Sequence, residues 1–171
     1  MVIGSLALGL RIAGNMRGRL MALREIERIL GYIEGELRCR HSILYEAMYN
    51  ISLKSVQPYR SWLEKLSIDL ERQASDYGID NEYKDFYTLW CESLKYLMEE
   101  TYLSFRDIAK LYDVGKALGY LDIESQQMNL QLERELIHKH ILELDKDIQA
   151  RMKNAIVLCF LGGIMTVIAL L

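Results

Sequence analysis

Histidine is the first residue type to consider for metal or acid–base chemistry, and its spacing in this chain argues against both. His138 and His140 are two positions apart, which separates them by about 200° around a helix, so they cannot share one metal on one face. His41 follows Arg40 in a predicted turn between helices. We interpret all of these histidines as surface residues.

Cysteine and glutamate give no metal or catalytic pattern either. Cys39, Cys91 and Cys159 show no CxxC or CxxH spacing, which argues against a disulfide framework or zinc site and fits a reducing compartment. The glutamate pairs Glu34/Glu36 and Glu99–Glu100 lack the Glu-x-x-His spacing of di-iron bundles, and we interpret them as solvated faces. The sequence also contains no GxxxxGK[ST], GxGxxG or GxSxG motif. We therefore expect a noncatalytic protein with no metal or cofactor.

One segment, GKALGYLDIESQQ at residues 115–127, indicates a tight corner between two helices. Gly119 is predicted to end one helix as a left-handed residue, and Asp122 is predicted to cap the next helix. Gln126 falls near the first turn of that helix. A capped hairpin explains these features, but Gly115 lies inside a helix, where glycine costs up to about 1 kcal/mol relative to alanine. Close helix packing or a partner contact would explain it. The candidate structural or partner residues are Gly115, Leu118, Gly119, Asp122 and Gln126.

The elements that hold this corner are predicted to be helices. Leucine and isoleucine recur at three- and four-residue steps from Leu20 to Leu37, and the 171 residues contain a single proline. Ser104 followed by Asp107 resembles a capping box, and an earlier helix is predicted to begin near residue 81 or 82. The net charge of −3 argues against nucleic-acid binding. We predict an all-α fold, an antiparallel bundle of five to six helices spanning residues 15–153.

Both ends of the chain are apolar. Residues 155–171 carry no charged side chain and would form a helix of about 25 Å, close to the minimum that spans a bilayer. We predict a transmembrane helix over 154–171, reached by one long helix that starts near Asp122. Residues 1–14 are interrupted by Arg11. They form either a short anchor whose arginine reaches the headgroups or a span that lacks its first turns.

Basic residues lie on the inner side of both apolar ends. Lys146, Arg151 and Lys153 precede the C-terminal segment. By the positive-inside rule the middle of the chain is cytoplasmic. The candidate lipid-facing basic residues, which would attract anionic lipid, are Arg11, Arg17, Arg19, Arg24 and Arg28.

The corner and both ends resemble one known family, the stage III sporulation protein AB family. The stretch GKALGYLDIESQQMNLQLERELI is similar to the family's glycine, aspartate and glutamine pattern, and FLGGIMTVIALL is similar to its ending. Near the start, the run from Gly9 to Ala13 and the segment Ile33–Leu37 resemble its opening helix. This chain departs from the family in its shorter first apolar stretch and in the absence of a proline after the early arginine.

The resemblance implies a cytoplasmic helical domain similar to the F-type platform proteins of type II secretion systems. It further implies a noncatalytic platform in the mother-cell membrane that faces the forespore, where it would couple a cytoplasmic ATPase of the same sporulation complex to other membrane subunits. The alternative is a small membrane-anchored adaptor or sensor that binds anionic lipid through its basic juxtamembrane helix. The sequence leaves open whether the chain forms an oligomer.

Overall fold

The structure is a computed structural model that describes residues 2–39, 44–75, 84–119 and 123–170. Side chains are described within these ranges except at residues 2–13, 39, 123 and 156–170. The described chain forms six helices and no strand: α1 (Val2–Cys39), α2 (Leu44–Ser52), α3 (Tyr59–Ser75), α4 (Phe86–Glu100), α5 (Phe105–Leu118) and α6 (Ile123–Leu170). The all-α prediction with five to six helices is confirmed.

Each helix packs on the next along the chain, and α6 returns to pack along α1, which closes the bundle. The α1–α6 pair is antiparallel. Glu34 contacts Arg134 at 2.6 Å, whereas Arg24, ten positions earlier on α1, contacts Asp145 at 3.3 Å. The long final helix predicted from the sequence is confirmed, since α6 runs unbroken over 48 residues, about 72 Å at 1.5 Å per residue.

The core consists of the apolar faces that the helical spacing predicts. On α1 the side chains at Leu20, Leu23, Ile26, Leu30, Ile33 and Leu37 are all buried. At the centre Trp62 of α3 meets Trp90 of α4 edge-on, with ring centroids 5.3 Å apart. Both indole N–H groups are satisfied: Trp62 donates to Ser93 Oγ at 2.9 Å and Trp90 donates to the Leu111 carbonyl at 2.7 Å. Pairing these donors removes the cost of burying them.

Two helix starts test the capping arguments. The prediction that a helix begins near residue 81 or 82 is wrong: α4 begins at Phe86, because the Asp85 side chain accepts from the backbone N–H of Thr88 at 3.0 Å and serves as N-cap. The capping box of α5 is confirmed. The carboxylate of Asp107 accepts from the Ser104 backbone N–H at 2.8 Å and from its hydroxyl at 2.7 Å.

Where side chains are described, no helix is both long and apolar enough to cross a bilayer. The predicted membrane segments, 1–14 and 154–171, lie outside that part of the chain except at their inner edges.

Candidate functional site: the α5–α6 corner and the charged contacts of the bundle

The corner between α5 and α6 is closed by a side-chain amide. Gln126 Nε2 donates to the Leu118 carbonyl oxygen at 3.0 Å. The carbonyls in the last turn of a helix have no intrahelical donor, so this bond satisfies one of them. Leu118 itself is 1% exposed and packs into the core. The structure thus brings together Leu118 and Gln126, two of the predicted corner residues.

A second amide, which sequence reasoning missed, joins the corner to α1. Gln127 Nε2 donates to the Leu37 carbonyl oxygen at 3.2 Å, in the last turn of α1. The start of α6 therefore holds the ends of two other helices. The sequence does carry a signal for this contact, namely two adjacent glutamines at the start of a helix. Their side chains point about 100° apart, so they can reach different neighbouring helices.

Gly115 lies where α5 presses against the indole of Trp90. A Cβ at this position would be 2.3 Å from Trp90 Cδ1 and 2.9 Å from Trp90 Nε1. Packing against Trp90, one of the two explanations the sequence allowed, accounts for the glycine.

The prediction of a left-handed Gly119 is wrong. Its φ of −80° and ψ of −3° are right-handed, and its N–H bonds to the carbonyls of Gly115 and Lys116. These bonds close the last turn of α5, so this position needs no positive φ. Asp122 lies outside the described residues.

Of the candidate lipid-facing arginines, Arg17, Arg24 and Arg28 lie exposed on one face of α1. Arg24 is 3.3 Å from Asp145, Arg28 pairs with Glu25, and Arg17 Nη2 is 3.3 Å from Met152 Sδ. The Arg24 and Arg28 side chains stay 55% and 44% exposed in these pairs, so water screens both charges and the pairs contribute little stability. The Arg11 side chain lies outside the described residues.

Arg19 differs from the other arginines because its guanidinium turns into the bundle. Its Nε and Nη2 donate to the two carboxylate oxygens of Asp107 at 2.7 and 2.8 Å. The Asp107 side chain is fully buried, and that of Arg19 is 24% exposed. His140 Nε2 lies 3.0 Å from the same carboxylate. This cluster of Arg19, Asp107 and His140, which we call the ionic triad, links α1, α5 and α6.

Arg19 and Ser104 lower the pKa of the Asp107 carboxyl group. Burial alone would raise the pKa of Asp107, but hydrogen bonds from Arg19 and Ser104 outweigh it and hold the pKa at about 2 rather than 3.8. The same bond raises the pKa of Arg19. Asp107 therefore stays ionised at neutral pH and acts as a fixed anion that joins helices.

Other charged residues also differ from their predicted exposure. Glu34 and Glu36 were expected in water, but each is only 8% exposed. Glu34 accepts from Arg134 at 2.6 Å and from Arg38 at 2.7 Å, while Glu36 lies 3.7 Å from Lys54. Arg38 lies one turn along α1 from Glu34, but Arg134 and Lys54 come from other segments. Spacing within α1 cannot reveal those two cations, which help to compensate the burial.

The two histidines of α6 also differ from each other in exposure. His138 is exposed on α6, as predicted, with its Nδ1 2.7 Å from a carboxylate oxygen of Glu27. The surface interpretation is wrong for His140, whose side chain is 22% exposed within the ionic triad. Within the described ranges, no group of histidine, cysteine, aspartate and glutamate side chains is arranged to hold a metal ion.

The helix order and the antiparallel pairing of the first and last helices define an all-α bundle protein. The start of α1 and the end of α6 lie at the same end of this bundle. A sequence model of the family described as stage III sporulation protein AB matches residues 1–171. The chain belongs to the stage III sporulation protein AB family.

Two relatives illustrate the match. Stage III sporulation protein AB of Bacillus subtilis (strain 168) is 27% identical over 173 residues, which cover 99% of this chain and 94% of that protein. A solved structure of stage III sporulation protein AB (SpoIIIAB) superposes with a TM-score of 0.65 at 21% identity. The superposition covers 77% of this chain and 97% of the solved one, and it shows a shared fold.

Proposed function

We propose that this sporulation protein is a noncatalytic platform of the mother cell–forespore complex, anchored in the mother-cell membrane that faces the forespore. Its bundle lies in the cytoplasm and couples a cytoplasmic ATPase of the complex to other membrane subunits. The observation that carries the proposal is the antiparallel register of α1 and α6.

That register brings the two apolar ends of the chain to one end of the bundle. Moving back along α1 from Glu34 to Arg17 corresponds to moving forward along α6 from Arg134 to Met152. Both helices continue past these contacts, α1 to Val2 and α6 to Leu170. The parts of α1 and α6 that carry the uncharged stretches 2–10 and 155–170 therefore leave the bundle at the same end, as two adjacent membrane anchors would.

Charge supports the orientation. Arg17, Arg151 and Lys153 are all exposed around the exit of these two stretches. Basic residues next to a membrane segment favour the cytoplasmic side, so the bundle hangs into the cytoplasm.

The α5–α6 corner lies at the opposite end, next to Leu37. From Gly14 to Leu37 the distance along α1 is about 35 Å at 1.5 Å per residue. Beside the corner, Met128 and Leu132 are 69% and 53% exposed on α6. An apolar patch that far from the bilayer is open to a cytoplasmic partner.

The mechanism is mechanical. The sequence contains no P-loop motif, so the chain is not itself a P-loop ATPase, and the proposal assigns ATP hydrolysis to a separate protein. A closed bundle, tied by the ionic triad and the corner glutamines, transmits a push at its distal end to the two membrane anchors.

The test is co-purification of the ATPase with the tagged full-length chain from detergent-solubilised membranes. M128S/L132S is expected to lose the ATPase. M21S, which changes an equally exposed methionine on α1 (69%), is expected to keep it. If both variants retain the ATPase equally, Met128 and Leu132 do not form the contact with the ATPase. A clean deletion should stall sporulation after engulfment, and normal spore yield would contradict the proposal.

The exposed arginines favour a second candidate, an adaptor or sensor that binds anionic lipid. Arg24 and Arg28 have 55% and 44% exposed side chains on the same face as Arg17. This candidate predicts that the chain binds anionic vesicles in a salt-sensitive way and that R17Q/R24Q/R28Q abolishes this binding. It also predicts that the tagged chain does not co-purify with the ATPase.

A further inference from the structure

Three large apolar side chains are exposed at the end of α4, in the turn that follows it and at the start of α5. Met98 is 46% exposed, Tyr102 is 63% exposed and Phe105 is 75% exposed. No other large apolar side chain in the described part of the chain is as exposed as Phe105. We call Met98, Tyr102 and Phe105 the α4–α5 patch. Nothing in the fold or in the proposed ATPase contact accounts for it.

The α4–α5 patch is held against the membrane-proximal part of α1. The ring of Tyr102 covers Gly18, where a Cβ would lie 2.7 Å from Tyr102 Cδ2. The next position of α1, Arg19, binds Asp107 in the first turn of α5. Because Asp107 also binds Ser104, the start of α5 is fixed at this level of α1.

The direction of Phe105 follows from its position as the first residue of α5. The Cα–Cβ bonds of a helix tilt toward its N-terminus. The N-terminus of α5 lies beside Gly18 and Arg19, and the C-terminus lies at the distal α5–α6 corner. Phe105 therefore leans toward the end from which the two apolar stretches leave.

The α4–α5 patch sits at the depth of lipid headgroups, if the bundle is anchored as proposed above. Gly18 is four positions, about 6 Å, from Gly14, where the N-terminal apolar stretch ends. The headgroup layer is roughly 5–8 Å thick on each side of the hydrocarbon core. Tyr102 then falls within this layer, and Phe105 is turned toward it.

The residue types fit a bilayer interface better than open water. Tyrosine and other aromatic side chains concentrate at the boundary between headgroups and acyl chains. The charged neighbours are mixed, since Glu99 and Glu100 precede the turn and Arg106 follows it, all exposed. Attraction to anionic lipid therefore cannot drive the contact with the bilayer. Burial of apolar surface must drive it instead.

We propose that the α4–α5 patch is a third point of contact with the membrane, where Phe105 and Tyr102 enter the interfacial layer of the bilayer. This inference rests on the membrane anchoring in the proposed function. Together with the two apolar chain ends, the patch would fix the tilt of the bundle against the membrane plane.

The test uses the full-length chain reconstituted into vesicles, with lipids brominated at shallow positions as contact quenchers of tryptophan. F105W adds a fluorophore to the α4–α5 patch. M128W is the matched control, at a similarly exposed position (69% against 75%) next to the distal corner. The native Trp62 and Trp90 are buried and give the same background in both.

We expect shallow brominated lipid to remove the emission that F105W adds, in neutral and anionic vesicles alike and at high salt. Emission from M128W should remain.

Flotation of the unmodified chain with the same vesicles separates the two proposals. If the chain floats but F105W is not quenched, the patch does not touch lipid and only this inference fails. If the F105W emission is shifted to the blue without quenching, a second copy of the chain covers the patch, which also overturns the inference. If the chain does not float, the anchoring and this inference fail together.

Discussion

Replacing Gly115 with alanine tests the packing at the centre of the bundle, because two opposed effects act at this position. Alanine gains up to about 1 kcal/mol of helix propensity over glycine. Its methyl group would lie 2.3 Å from Trp90 Cδ1 and must push the indole away. Overpacking of this kind costs about 1–3 kcal/mol. Moving the indole also strains the buried hydrogen bond from Trp90 Nε1 to the Leu111 carbonyl, whose loss costs about 1–3 kcal/mol.

The net expectation for G115A is a loss of about 1–5 kcal/mol of unfolding free energy. In a chain of this size that corresponds to a fall in Tm of at least about 2 °C. The assay is thermal unfolding of the full-length chain, followed by circular dichroism at fixed protein and detergent concentration.

Gly35 supplies a matched control, since it is exposed within α1 and a Cβ there would meet nothing within 4 Å. G35A should raise Tm, because only the propensity gain of up to about 1 kcal/mol acts. In a background with W90L, G115A should cost much less, since the clashing ring is gone. A G115A variant as stable as the parent would refute this reasoning.

Two further predictions concern the ionic triad and the corner. D107N should lower unfolding free energy by roughly 2 kcal/mol at neutral pH, because the folded pKa of about 2 lies below the ordinary 3.8. The difference from the parent should shrink as pH falls from about 4 to 2, when Asp107 itself becomes protonated. D145N, at a partly exposed pair, should change stability by less than about 1 kcal/mol; equal pH profiles for both would disprove the role of Asp107. Q126A should cost about 1 kcal/mol and speed amide exchange at the end of α5; unchanged exchange there would exclude the Gln126 cap.

The helices and the core of α1 could be predicted from the sequence because both depend on local periodicity. A face that repeats every three to four residues must be buried, whatever it packs against. The capping box at Ser104 could be predicted for the same reason, since its partners are three positions apart.

Contacts between distant positions could not be predicted in this way. Asp107 was recognised as a cap, but its partner Arg19 lies 88 positions away on another helix. Likewise, Gly115 indicated close packing without identifying Trp90. Arg19 and Glu34 looked like surface charges because a charged residue is buried only where a distant partner neutralises it. The prediction that Gly119 is left-handed was wrong for a local reason. A right-handed turn closes α5, so the glycine needs no positive φ.

The central claim is that lipid holds the two apolar ends of the chain while the bundle hangs in the cytoplasm. Alkaline carbonate washing of membranes from sporulating cells tests it most directly, with the full-length chain quantified in pellet and supernatant. We predict that the chain stays in the pellet and is released only by detergent. Recovery of the intact chain in the carbonate supernatant would contradict the claim.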